Sequence, residues 1–139
     1  MEQVKKVNDT VAELILSPLA KKIKLLPGQF IFLRFEKDGI LSESHPFSIT
    51  YDPNNNNLSL GIKTMGDYTS MAYLIKTGVT CLIEGPFGVF SYLKANSKRQ
   101  IWVAGGIGIT PFLSMARQID SSKIRAENYQ IDLYYSVKN

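Results

Sequence analysis

The first part of the chain alternates apolar and polar positions with a period of two. From Val4 to Leu16 aliphatic and β-branched residues are broken by the polar KKVNDT, and the run closes on ELILSP, where Leu14 and Leu16 alternate with Ile15 and Ser17. This predicts a bent or bulged strand ending at Pro18. PGQFIFLRF follows, a turn signal feeding a strand with Phe30, Phe32 and Arg34 on one face and Ile31, Leu33 and Phe35 on the other. After a polar loop from Glu36 to Ser44, HPFSITY sets Phe47, Ile49 and Tyr51 against Ser48 and Thr50. DPNNNN is turn chemistry, because asparagine and aspartate tolerate left-handed backbone and bond their own main chain. LSLGIK alternates again, so the pattern predicts antiparallel strands linked by hairpins.

The pattern changes after Gly66. DYTSMAYLIK places Tyr68, Met71, Ala72 and Ile75 at helical spacing, and Lys76-Thr77-Gly78 stops that helix. VTCLIEGPFG reads as one more strand and a glycine-rich turn that closes the first domain. From Gln100 the order becomes strand, glycine loop, helix, strand: QIWVAGG, IGITP, FLSMARQI, QIDLYYSV. Thr110 is expected as the N-cap of that helix and Pro111 as its first residue, where a missing N–H costs nothing. Such a βαβ unit implies parallel strands and a right-handed crossover. The polar KANSKR at 94–99 divides the two patterns, giving expected domains of 1–97 and 98–139.

Composition narrows the function classes. With 45% hydrophobic and 20% charged residues, the 139-residue chain can bury a core and is not disordered as a whole. Its net charge of +4 is scattered, without a basic stripe interleaved with aromatics, so nucleic acid is not an expected partner. Cys81 is the only cysteine and lies in the apolar VTCLIEG, which favours a buried, unreactive thiol; intrachain disulfides and a cysteine-ligated metal site drop out, and no metal is expected. His45 is the only histidine, so a Ser-His-acid triad has a single base to draw on, and a proline follows it. No apolar run approaches the ~18 residues of a membrane span, and MEQVKKVNDT has no signal-peptide core. The expectation is a cytoplasmic chain, which leaves a membrane-bound parent open.

Four segments carry candidate chemistry. Gly106, Gly108 and Pro111 form G-x-G-x-x-P between a strand and a helix. Bare backbone N–H groups there approach an anion closely and the helix N-terminus adds partial positive charge, so a diphosphate is the expected guest; the alternative is a tight turn needing positive φ. In HPFSIT, His45 and Phe47 share a face and Ser48 turns away, an arrangement suited to a flat heteroaromatic ligand with a charged tail. The residue types alone favour the other reading, in which Phe47, Ile49 and Tyr51 are simply the core face. In GDYTSM, Thr69, Ser70 and free backbone N–H groups suit a phosphate, or Asp67 merely caps a helix. EGPFG at 84–88 is the weakest signal.

Taken in order, PGQF, HPFSIT, GDYT, EGPFG and VAGGIGITPFLS resemble the ferredoxin–NADP reductase superfamily, in particular the cytoplasmic parts of ferric reductases and NADPH oxidases and their bacterial relatives. The resemblance implies a mainly β fold: a six-stranded antiparallel FAD-binding barrel, then a partial Rossmann-like α/β part with one βαβ unit. The family's R-x-Y-[ST] motif implies that His45 stands where an arginine meets the flavin phosphates, with Pro46 beside it. Phe47 stands for the tyrosine that stacks on the isoalloxazine, and Ser48 matches the hydroxyl near N5, the catalytic position. The phosphate loop maps onto Gly66 and Thr69 with Asp67 and Tyr68 between them, preceded by Ile62 and Lys63 in the cofactor-binding set. Gly105, Gly106, Gly108, Thr110 and Pro111 match the pyridine-nucleotide pyrophosphate loop.

The implied cofactors are FAD and NAD(P)H, and the implied reaction is hydride transfer to the flavin followed by electron release to a haem domain, a ferric chelate, an iron–sulfur protein or oxygen. The sequence stops after the second parallel strand, before the family's ribose-recognition residues, and IDLYYSV is expected to offer an uncovered apolar face for self-association. A second expectation is a non-catalytic flavin-binding or electron-transfer subunit that needs a partner, and a third an empty barrel used for protein contact.

Overall fold

The computed structural model describes residues 1–19, 23–37, 40–50, 57–64, 66, 69, 75–121 and 129–137. Instead of one bent strand, the N-terminus folds as a hairpin of β1 (Gln3–Lys6) and β2 (Val11–Leu16), with Val4 opposite Leu14. The polar break is its turn: Asn8 Oδ1 accepts from the backbone N–H groups of Thr10 and Val11 at 2.9 and 2.8 Å. An asparagine can satisfy a reversal in this way without glycine. In β2 the alternation is strict, with Ala12, Leu14 and Leu16 buried and Val11, Glu13 and Ile15 half-buried.

Further strands are β3 (Phe30–Lys37), β4 (Ile40–Leu41), β5 (His45–Ser48), β6 (Leu58–Lys63) and β7 (Cys81–Phe87). They form two antiparallel sheets, ordered β1-β2-β6 and β4-β3-β5, with β7 on β3. The ladders among the described residues stop short of a closed barrel. On one side the sheets meet at a bridge between Ile49 and Leu60 and a 2.7 Å bond from Thr50 N–H to the Ser59 carbonyl. On the other, the N-terminal amine donates to the Val79 carbonyl at 2.7 Å and Gly78 N–H to the Met1 carbonyl at 3.0 Å. Inside lie Leu14, Ile31, Leu33, Ile49, Leu60 and Ile62, all at most 2% exposed.

EGPFG is also corrected. β7 runs on through Gly85 and Pro86 to Phe87, its ladder with β3 shifting between Phe30 and Phe32, and the chain reverses only at Gly88. A bulge carries the glycine and proline within the strand, where the sequence reads as a turn. Cys81 is half-buried, and burial pushes its thiol up, against the opposing pull of the N-terminal charge. That is an unreactive environment. Tyr51, Asp52, Asp67, Tyr68, Ser70, Met71 and Ala72, with most of the turn and helix expected around them, lie outside the described residues.

After a short 3-10 turn at Tyr92–Lys94, β8 (Arg99–Gly105) leads through a second, Gly106–Ile109, into α1 (Thr110–Ser121) and then β9 (Gln130–Ser136). β8 and β9 are parallel, with Gly105 opposite Ser136, as the βαβ pattern predicts. Trp102 and Ala104 of β8 meet Phe112 and Met115 of α1 in a second core.

Candidate functional site

At the glycine loop the strand hands over to the helix without an intervening extended residue. Thr110 already has helical backbone, φ −53 and ψ −49, and its hydroxyl donates to the Ile107 carbonyl at 2.6 Å. It is therefore not an N-cap, which needs extended backbone: the 3-10 turn at 106–109 runs directly into the helix. Pro111 follows in the first turn, where its missing N–H is harmless.

The glycines separate the two explanations of the motif. Gly106 has φ +51, a left-handed conformation that glycine adopts without strain, so a turn requirement accounts for it. Gly105 and Gly108 have no positive φ, and a Cβ on either would meet nothing within 4 Å. Neither turn geometry nor packing asks for glycine at these two positions. From β9, Tyr135 Oη donates to the Gly106 carbonyl at 3.1 Å and steadies the loop's start.

This loop sits on the β1-β2-β6 sheet. The side chain of Thr110 lies 3.4 Å from where a Cβ on Gly61 of β6 would stand, so Gly61 makes room for the helix start. β6 then continues through Ile62 and Lys63 towards Gly66. Ile62 turns its side chain into the core at 2% exposure, whereas Lys63 faces the other way, paired with Val11. Gly66 N–H donates to Thr69 Oγ1 at 3.1 Å and that hydroxyl bonds the Gly66 carbonyl at 3.0 Å, so one side chain closes the turn. Asp67 and Tyr68 lie outside the described residues.

On β5 the register places Phe47 opposite Ile31 and His45 opposite Leu33, both on the core side, and Ser48 opposite Phe30 on the outer side. Phe47 is 9% exposed and packed in the core, so the core-face reading of this residue holds. His45 Nε2 lies 3.5 Å from the Glu43 carboxylate. Ser48 and Pro46 share the outer side with the rings of Phe30, Phe32 and Phe87, whose centroids are 5.6 to 5.9 Å apart. β5 and β6 meet at the Ile49–Leu60 bridge, and no ladder joins them beyond it among the described residues. The structure thus brings β5, the end of β6 and the glycine loop to one region.

Four polar residues at this junction escape sequence reasoning. Glu13 of β2 accepts from Ser59 Oγ at 2.5 Å, Arg117 Nη1 at 3.1 Å and Thr50 Oγ1 at 3.4 Å, while Arg117 Nη1 also donates to the Thr50 carbonyl at 2.6 Å. Burial pushes the Glu13 carboxyl up, but the hydrogen bonds from Ser59 and Arg117 and the charges of Arg117 and Lys5 outweigh it, and the net direction is down. The one available signal was the polar spacing of Thr110, Ser114 and Arg117 along the helix, which reads as a solvated face.

Residues 1–91 match the model of a family described as the FAD-binding domain. The chain belongs to this family of FAD-binding domains. It is 31% identical over 91% of its length to ferric reduction oxidase 8, mitochondrial, of Arabidopsis thaliana, covering 19% of that protein. It is 31% identical over 83% of its length to NADPH oxidase 3 of Rattus norvegicus, covering 22% of it. The chain thus spans about a fifth of the length of these curated relatives, which are oxidoreductases. Among solved structures, a ferredoxin NADP+ reductase from Neisseria gonorrhoeae with bound FAD and NADP superposes with a TM-score of 0.78 at 21% identity, over 99% of this chain and 56% of that one. The resemblance drawn from five ordered motifs therefore holds for family and fold, and FAD is the family's cofactor.

The residues of this FAD-binding domain fit a dinucleotide. The bare backbone of the glycine loop offers N–H groups to a phosphate, whereas at Gly66–Thr69 the Gly66 N–H and the Thr69 hydroxyl already bond within the turn.

Proposed function

We propose that this chain is the flavin module of an NAD(P)H-dependent oxidoreductase, passing electrons from NAD(P)H by way of FAD to a metal or haem acceptor in the manner of a ferric reductase. The observation that carries the reading is the pair Gly105 and Gly108, glycines with no steric or conformational reason of their own, on a helix start seated on the strand that leads to the phosphate turn. In this reading residues 1–97 hold the flavin and 98–139 contribute the pyrophosphate side of the nicotinamide nucleotide.

The bound flavin supplies hydride acceptance and stepwise electron release. The chain binds and orients. Backbone N–H groups at 105–108 hold diphosphate, and Gly66 to Thr69 holds the flavin's phosphates together with His45, whose neighbouring Glu43 carboxylate tempers its attraction for anions. Ser48 offers a hydroxyl at the reacting edge of the ring, and Phe47 supports the ring from the core side. Among the described residues no helix is long and apolar enough to cross a membrane, and the Candida albicans relative named as a probable ferric reductase transmembrane component supports placing this module at the cytoplasmic face of such a reductase.

Titration with FAD, followed by flavin absorbance and fluorescence, tests the reading. Saturable binding that weakens about fivefold in Ser48→Ala is expected, since a lost hydrogen bond removes on the order of 1 kcal/mol. No binding of FAD to the folded chain would exclude it. A second reading, an electron-transfer subunit completed by a partner or by a second copy, is favoured by the uncovered sheet face of β8 and β9, where Ile101, Val103 and Tyr134 are 68%, 71% and 63% exposed.

A further inference from the structure

Helix α1 has two buried sides. Phe112 and Met115 meet Trp102 and Ala104, while Thr110, Ser114 and Arg117, at i, i+4 and i+7, fall on the opposite side. That polar side is covered at its start and open at its end: Thr110 is 3% and Ser114 0% exposed, while the Arg117 side chain is 41% exposed. It covers the outer face of β2 and β6, where Glu13, Ser59 and Gly61 stand.

The helix is attached there at two points. Thr110 rests on Gly61, and Arg117 bonds the Glu13 carboxylate and the Thr50 carbonyl. Seven residues of α-helix separate the points by about 10 Å. One contact leaves a helix free to pivot, whereas two at that separation fix its direction. Glu13 and Gly61 are themselves cross-strand partners, so both attachments stand on one rung of the β2–β6 ladder. Thr50 lies two residues past Ser48, the end of β5. A single guanidinium therefore joins β2, the continuation of β5 and the helix that begins at the glycine loop.

We propose that Arg117 is a positioning residue, which through Glu13 and the Thr50 carbonyl holds the glycine loop at a set distance and angle from His45–Ser48. The inference rests on reading the loop as the nicotinamide-nucleotide side and β5 as the flavin side. Glu13 is held charged in this role by Ser59 and Arg117, with Lys5 of β1 the other cation acting on it, and it also accepts from Thr50 Oγ1. Removing Arg117 leaves the barrel's own core untouched and releases the helix end.

The test compares Arg117→Ala, Arg117→Lys and Glu13→Gln in the full chain. FAD affinity should stay within about twofold of the parent chain in all three, while anaerobic reduction of bound FAD by NADH or NADPH slows about tenfold or more in Arg117→Ala and Glu13→Gln, as small misplacements of reacting groups do. Arg117→Lys, which keeps the cation and one donor, should recover most of that rate. Hydrogen exchange at the amides of 106–114 should rise about tenfold in Arg117→Ala, with β2 and β6 still protected. Unchanged exchange in folded Arg117→Ala overturns the proposal, and so does unchanged reduction with FAD bound. If the parent chain binds no FAD, the flavin reading fails by itself and the exchange comparison still decides whether Arg117 holds the loop. Should Arg117→Ala not fold, Glu13→Gln against Arg117→Lys makes the same comparison.

Discussion

The two halves of this molecule bury their apolar residues in different ways. In the first, two sheets wrap around one core whose inward residues, from Leu14 to Ile62, are almost wholly excluded from water. In the second, the described residues cover one parallel pair of strands on one side only: Trp102 and Ala104 lie beneath α1, while Ile101 and Val103 on the other face are more than two-thirds exposed. The βαβ unit compensates by leaning on its neighbour through the polar side of α1. A sheet with one covered face depends on what lies beside it, and here part of that support comes through a salt bridge and a glycine instead of an apolar interface.

Breaking the stronger half should have the largest effect. Leu60 is fully buried between both sheets, and Leu60→Ala is expected to cost about 2–5 kcal/mol and lower the denaturant midpoint of the whole chain. If the transition then splits into two, the βαβ unit is less dependent on the barrel than the comparison holds.

A smaller effect separates the two roles of glycine in the loop. Gly106→Ala forces a side chain into φ +51 and should destabilise the loop by about 1–2 kcal/mol, read as a lower melting temperature without ligand. Gly108→Ala has neither positive φ nor a steric neighbour, so stability should stay within ~0.5 kcal/mol while pyridine-nucleotide binding weakens. Equal ligand binding in Gly108→Ala and the parent chain would reduce the loop to a turn.

The smallest change in stability belongs to the bare face. Ile101→Ser with Val103→Thr should alter unfolding by little more than ~0.5 kcal/mol, yet make the chain more monodisperse in light scattering at high concentration. A large loss of stability would mean that this face is already covered.

Much of the barrel was legible because strand periodicity records which side of each strand meets the core. Alternation separated the two faces of β3, but with phenylalanines on one and aliphatics on the other only the fold decided that Ile31, Leu33 and Phe35 point inward; the burial of Ile49 agrees with the core-face reading of HPFSIT. The N-terminal hairpin was not legible as two strands, since β1 is mostly exposed and carries almost no apolar alternation, and its turn uses Asn8 without glycine. The bulge at Gly85 and Pro86 misled in the opposite sense: those residues mark a break in local sequence, but the ladder to β3 carries the strand across it.

For the candidate site, motif order pointed to β5, the end of β6 and the glycine loop as the segments to test. The core-face reading of Phe47 was available from residue types, but the helical backbone of Thr110, expected as an N-cap, was not. Nor did motif order find Glu13 and Arg117, which stand more than a hundred positions apart.

The sequence alone determined what is local: strand faces through a period of two, the strand–glycine–helix handover, and the residue types able to meet phosphate. Tertiary structure decided what is relational. The pairing of Glu13 with Gly61 and the seating of α1 upon them depend on register between distant strands, and register is set by how all the apolar faces pack at once. A polar side chain on a helix reads as solvent-facing until a neighbouring strand supplies its partner, which is why Arg117 acquires meaning only in the fold.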